Sequence, residues 1–219
     1  MRFIEALLRL KLEEAKLKWK EKRENGWIWV TDVIHCYHRY ELSSMFPEIA
    51  IAQFSAPQFI IGDLIHKAIQ NLPCFERWEA EREVEVHYGE FKLKGRIDLY
   101  NEEEKHLIEI KSGRDVKAPP SPHHVLQVWI YKQMVGSTKE SIVYITNGRI
   151  IQCDLRPEDY KFVLGKFKIR RITNVPQQSP LFDYISWWWN ESPTPIWPWE
   201  CDYCPYAHIC MHRKSNSKR

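Results

Sequence analysis

The chain has no long uninterrupted hydrophobic run. Its most apolar stretch, residues 49–65, is broken by Gln53, Pro57, Gln58 and Asp63, so no run approaches the roughly 20 apolar residues that a membrane helix needs. The opening Met1-Arg2-Phe3-Ile4-Glu5 leads into a densely charged segment, which is wrong for a secretory signal. The expected setting is therefore the cytoplasm, with no membrane partner. An internal repeat is also missing, and so is a strong excess of either charge. With a formal net charge of +3, any basic surface for a nucleic acid has to come from local clustering. In a reducing compartment the six cysteines argue for metal rather than disulfides.

What is present suits one sizeable soluble domain, with or without a small appendage. The 219 residues are 44% hydrophobic and 28% charged, ordinary values for a globular protein. Ten Trp and ten Tyr offer flat surface for stacking on bases, although aromatic residues mostly serve the core.

Residues 3–24 read as a charged helix with a loose apolar stripe of Phe3, Leu7, Leu10, Ala15 and Leu17, stopped at Asn25-Gly26. Thr31-Asp32 starts another, which places Cys36 in an early helical turn. Pro57 opens a third, with Ile61, Leu64, Ile65, Ala68, Ile69 and Leu72 as its buried face and His66 beside it. From Glu83 the period becomes alternating. Val84 and Val86 mark a short strand, residues 91–100 and 107–111 two more, joined by a polar turn over 101–105. After Pro119, Pro120 and Pro122 comes a helix over 123–135. Residues 142–146 and 149–155 form a hairpin around Asn147-Gly148, and residues 154–174 read as helical. A Trp- and Pro-rich stretch then leads to the last cysteines and a basic tail.

The chemistry concentrates in the strand hairpin. Pairing Tyr100 with Leu107 and Asn101 with His106 leaves the four-residue loop 102–105 and sets Asp98 opposite Glu109. Like charges opposite one another destabilise a sheet unless something positive lies between them. A Mg(II) or Mn(II) ion meets that demand. Lys111, two residues beyond Glu109, shares the face and can steady charge on a phosphate or orient a water. The same residues also suit an ordinary solvent-facing hairpin, and His66 suits a helix flank. Spacing alone leaves both readings open.

The cysteines make a second pattern. Cys201, Cys204 and Cys210 sit close together, and Cys36 joins them only if the chain ends meet. Such thiolates suit zinc or an iron–sulfur cluster. His208 and His212, in and beside the group, keep a zinc Cys/His site open. Cys74 and Cys153 read as core residues.

Taken in order, His66, Gly95-Arg96-Ile97-Asp98, Glu109-Ile110-Lys111 and Gln127-x-x-x-Tyr131 resemble the motifs of the RecB-like branch of the P-D-(D/E)-x-K nuclease superfamily. The one-plus-three cysteines around them, with Thr31-Asp32-Val33-Ile34-x-Cys36-x-x-Arg39, resemble the CRISPR-associated Cas-four family, from about residue 29 to 212. The resemblance implies an α/β fold: a restriction-endonuclease-type core of central mixed sheet flanked by helices, its N- and C-terminal segments joined by an iron–sulfur cluster. The corresponding divisions are a charged helix (1–28), a helical region (29–80), the nuclease core (81–175) and an iron–sulfur segment (176–219). It further implies Mn(II) or Mg(II) held by His66, Asp98, Glu109 and the Ile110 carbonyl, with Asp98, Glu109 and Lys111 catalytic. Gln127 and Tyr131 would position Lys111 and the DNA. Cys36, Cys201, Cys204 and Cys210 would hold a cluster, usually 4Fe–4S, although four cysteines also suffice for 2Fe–2S.

The activity so implied is metal-dependent cleavage of single-stranded DNA, 5′ to 3′ from an end, sometimes endonucleolytic, in CRISPR spacer acquisition beside integrase Cas proteins. The alternatives are a stand-alone repair or recombination nuclease and a non-catalytic, metal-stapled DNA-binding module. Arg96, Arg114, Lys117 and the Trp187–Trp189 run are further candidates for DNA contact.

Overall fold

The computed structural model describes residues 2–23, 26–54, 56–113, 116–170 and 179–211. At its centre is a six-stranded mixed sheet of β1 (Ile28–Trp29), β2 (Glu79–Tyr88), β3 (Phe91–Asn101), β4 (His106–Gly113), β5 (Lys139–Thr146) and β6 (Ile150–Asp154). The helices around it are α1 (Phe3–Arg23), α2 (Val30–Val33), α3 (Tyr37–Met45), α4 (Pro47–Phe54), α5 (Pro57–Gln70), α6 (Pro122–Val135), α7 (Pro157–Leu164), α8 (Pro180–Glu191) and α9 (Glu200–Tyr203).

Strand β3 has three partners but only two edges. β2 runs antiparallel along one edge, from Phe91 to Tyr100. The other edge is shared. β1 pairs in parallel with Leu93 and Lys94, and β4 pairs antiparallel with Leu99, Tyr100 and Asn101. Gly95, Arg96, Ile97 and Asp98 fall in the gap between these two partners. The Tyr100–Leu107 and Asn101–His106 pairs expected from the loop length are both formed. β4 then pairs in parallel with β5, a geometry that needs a crossover, here supplied by α6. β6 closes the sheet antiparallel to β5.

The main core packs α6 and α8 on the sheet, with Leu126, Val128 and Ile130 meeting Leu93, Ile97, Tyr144, Tyr184, Ile185 and Trp188. Every residue of α6 from Val125 to Tyr131 is buried, as befits a mostly apolar helix, with Gln127 as its one buried amide. Leu99, Ile108 and Ile110 head a second cluster with Ile69, Phe75 and Trp78.

Several expectations need correction. Residues 154–174 are not one helix. Asp154 ends β6, Arg156 is extended as a residue before proline prefers, and the helix there is only Pro157–Leu164. The expected stretch from 171 lies outside the described residues. On α5, Ile61, Leu64 and Ala68 are exposed, and so is Leu72 just beyond its end. The inward side instead carries Ile65, His66 and Ile69, because the helix packs through Gly62, where a Cβ would lie 3.0 Å from Ser112 Oγ. On α1, Phe3, Leu10 and Leu17 are exposed, while Lys11 and Ala15 are buried. Cys36 is not in a helical turn: it is the extended residue before α3. Cys74 is exposed, and Cys153 is half-buried against the core. Helix α8 was hidden by its Trp-rich composition, although Leu181, Tyr184, Ile185 and Trp188 keep a helical period and Ser179 caps it by accepting the Phe182 N–H at 3.1 Å.

Candidate active site and cysteine pocket

The gap on the β3 edge is filled by side chains. The Arg96 N–H donates to the Tyr131 hydroxyl at 3.3 Å, and that hydroxyl donates to the Arg96 carbonyl at 2.9 Å. One phenol from α6 thus satisfies both backbone groups that a neighbouring strand would have taken. It reaches them because residue 95 is glycine. A Cβ there would stand 2.4 Å from Tyr131 Cε1 and 2.9 Å from Val30 Cγ2.

The Asp98–Glu109 step is likewise made by a side chain. Asp98 Oδ2 accepts the Ile110 N–H at 2.7 Å, and Oδ1 lies 3.3 Å from His66 Nδ1. Glu109 Oε1 accepts from Lys111 Nζ at 2.7 Å and Gln127 Nε2 at 2.8 Å. Lys111 Nζ also donates to Gln127 Oε1 at 2.9 Å, closing a three-membered network. Gln127 and Tyr131 are one turn apart on α6, so one helical face serves both Glu109 and the Arg96 backbone. The structure therefore brings His66, Asp98, Glu109, Ile110, Lys111, Gln127 and Tyr131 onto one cavity of about 1160 Å³.

Glu109 is the unusual member. It is 3% exposed, and its Oε2 has no hydrogen-bond partner among the described residues. A buried carboxylate oxygen left bare is costly. Burial first, and the Asp98 charge second, push its carboxyl well above the usual range. Burial pulls His66 down, but the hydrogen bond and charge of Asp98 outweigh it and the net shift is upward.

Two contributors escaped the sequence reading. Lys11, Glu14 and Ala15 make α1 a wall of the same cavity, fixed by Lys11 Nζ to Asp63 at 2.7 Å. Glu81 on β2 is the other: one ligand atom each from His66, Glu81 and Asp98 lie within 4.8 Å of one another. An acidic residue at a strand start gave no sequence signal. Of the residues considered for DNA contact, Arg96 pairs with Glu83 at 3.0 Å, Trp188 is fully buried and Trp189 is 37% exposed. Lys117 is exposed, and Arg114 lies outside the described residues.

The cysteines meet as well. Cys36, Cys201, Cys204 and Cys210 line one small cavity with Arg39, Leu42, Glu200 and Ala207. His208 is not among its lining residues, and His212 lies outside the described residues. Burial pushes the Cys36 thiol up to about 12, and a metal bound there would displace its proton.

The C-terminal segment is tied there by Glu200. Its Oε1 accepts from His35 Nδ1 and the Cys36 N–H, both at 2.9 Å, and its Oε2 from the N–H groups of Ile196 at 2.7 Å and Trp197 at 3.0 Å. Three carbonyls at the end of α2 are capped from the same side. Val33 accepts from the Tyr184 hydroxyl at 2.6 Å, Ile34 from Trp197 Nε1 at 2.9 Å and His35 from Trp188 Nε1 at 2.8 Å.

Residues 72–211 match the model of the PD-(D/E)XK nuclease superfamily. The chain is 33% identical over 215 residues to the CRISPR-associated exonuclease Cas4 of Saccharolobus solfataricus, a match covering 94% of this chain and 96% of that protein. It superposes on the crystal structure of SSO0001 with a TM-score of 0.78 and 28% identity, over 97% of this chain and 98% of the other.

Proposed function

The chain belongs to the PD-(D/E)XK nuclease superfamily and, within it, to the family of the CRISPR-associated exonuclease Cas4, and from that premise we propose that it is a divalent-metal-dependent exonuclease on single-stranded DNA. It digests 5′ to 3′, with endonucleolytic cutting as a second mode, and it acts in the cytoplasm on DNA destined for CRISPR integrase proteins. The observation that carries the reading is the bare Oε2 of Glu109 beside Asp98 and His66. Hard carboxylate oxygens with one imidazole suit Mn(II) or Mg(II), and a cation would satisfy the oxygen that no described residue pairs.

In this reading His66, Asp98, Glu109 and the Ile110 carbonyl hold the ion. A bound ion supplies Lewis acidity at a phosphate oxygen and lowers the pKa of a water. The protein does the positioning. Gln127 holds Lys111 and Glu109 in fixed relation, so the Lys111 ammonium is preorganised for charge that develops on the scissile phosphate. Asp98 is anchored through Oδ2 by the Ile110 N–H, which leaves Oδ1 facing His66 at 3.3 Å.

The cysteine pocket suits an iron–sulfur cluster. Four soft donors converge there, and four thiolates fit either 4Fe–4S or 2Fe–2S. Its work in this proposal is structural, joining the C-terminal segment to α3.

Digestion of end-labelled single-stranded DNA with Mn(II), Mg(II) or EDTA, comparing wild type with Lys111→Ala, tests the activity. Metal-dependent loss of the label, absent in the variant, is expected. Tight DNA binding with no cutting under any metal would favour a binding module instead.

A further inference from the structure

Strand β2 pairs with β3 in a register that should set Glu81 opposite Asp98. The ladder holds at Ala80–Leu99 and resumes at Arg82–Ile97, but the step between them is not formed. There Glu81 turns to φ 54°, a left-handed conformation that glutamate rarely adopts. Such backbone outliers persist where the surroundings enforce them, and they cluster at functional sites.

The result is chemical. Two carboxylates directly across a ladder repel, yet here the turn keeps Glu81 at the same cavity as Asp98. Helix α5 holds both partners. His66 and Gln70 are one turn apart; His66 Nδ1 meets Asp98 Oδ1 at 3.3 Å, and Gln70 Nε2 donates to Glu81 Oε1 at 2.7 Å. The same Gln70 nitrogen lies 3.2 Å from the Asp98 carbonyl, so one amide sets Glu81 relative to β3. Glu81 Oε2 lies 3.8 Å from Arg96 Nε. A separate observation marks the cavity as a cation site: the 97% buried Glu109 lines it with an oxygen that no described residue pairs.

We propose that Glu81 is a further ligand of the divalent cation, joining His66 and Asp98 on the β2 side of the site, with Gln70 orienting its carboxylate. The inference rests on the metal-dependent reading above and adds a residue to it. Carboxylates with one imidazole form a donor set that Mn(II) accepts readily.

The test is Mn(II) binding, followed by calorimetry and by the loss of free-ion electron paramagnetic resonance signal, in wild type, Glu81→Gln and Glu81→Asn. Asparagine tolerates the left-handed backbone, so Glu81→Asn should melt without metal at or above the wild-type temperature. Both variants should bind Mn(II) at least roughly tenfold more weakly, the lower end of what loss of even an outer partner costs. Wild-type affinity in a folded Glu81→Asn would overturn the role of Glu81 and leave the nuclease reading standing. A wild-type protein that binds no Mn(II) would overturn the metal reading itself, and this inference with it.

Discussion

Two buried glutamates in this protein live in opposite circumstances. Glu200 is 5% exposed and Glu109 is 3% exposed, so burial alone does not separate them. Glu200 spends both oxygens on four donors from the link between α2 and α3 and from its own segment. Burial would raise its carboxyl, but His35 and the backbone N–H groups outweigh that and hold it low. Glu109 is satisfied on one oxygen only and is held high. The first is a fastener, ionised and complete. The second is incomplete until something positive arrives. A fully satisfied buried carboxylate marks structure, and a half-satisfied one marks a site.

The sharpest way to break this contrast is to remove Glu200. Glu200→Ala strands the N–H groups of Cys36, Ile196 and Trp197 and should cost about 3–4 kcal/mol. Urea unfolding of the intact protein measures it, and a loss under about 1 kcal/mol would mean that the segment is held elsewhere. On the other side, Lys111→Ala should lower cleavage by about 10²–10³-fold, the scale for losing one preorganised donor, with a modest fall in melting temperature because buried Glu109 loses its cation but keeps Gln127. Single-turnover rates at saturating metal are the readout. Next comes Gly95→Ala. Its methyl must displace the Tyr131 ring, at about 1–3 kcal/mol for overpacking, and it should slow cleavage as well as lower stability.

Acidity comes fourth. Glu109 and His66 are both shifted upward, and both must be unprotonated to bind an ion. Mn(II) affinity should therefore weaken as pH falls, starting above the ordinary histidine value of 6.5, by about tenfold per pH unit for each proton displaced. A flat calorimetric titration from pH 8 to 6 would contradict this. The smallest effect belongs to Glu109→Gln without metal. A carboxyl raised in the folded state lends stability at low pH that is lost as pH rises through its folded value. Removing the charge above neutral pH should thus leave stability equal or higher, within about 1 kcal/mol. A clear loss in a metal-free melt would place Glu109 in the same class as Glu200.

The hairpin around Asp98 was legible in the sequence because a four-residue loop, a common length, sets Tyr100 against Leu107 and Asn101 against His106, and both pairs are formed. Four cysteines in two distant groups likewise pointed to ends that meet, and those ends do meet. What stayed hidden depends on three-dimensional neighbours. Glu200 lies among aromatic residues and prolines and looks like a surface acid, since its partners His35 and Cys36 lie some 165 positions away. Glu81 depends on a backbone turn that no local residue preference encodes. On α5, apolar residues occupy both faces, so the expected stripe mixes the inward Ile65 and Ile69 with the exposed Ile61 and Leu64. Past Leu164, Phe167 and Ile169 continue an apolar pattern that packs on the core without remaining helical.

The shared edge of β3 also decides how inactive variants should be interpreted. Asp98 and Tyr131 stand in for absent rungs of the ladder, so each is a piece of scaffolding as well as a member of the proposed site. Replacing Asp98 with alanine leaves the Ile110 N–H without its acceptor, and such a loss costs about 1–3 kcal/mol. A dead Asp98→Ala protein therefore confounds lost chemistry with a loosened sheet. Lys111, whose ammonium touches only side chains in the bonds described, gives the cleaner genetic knife.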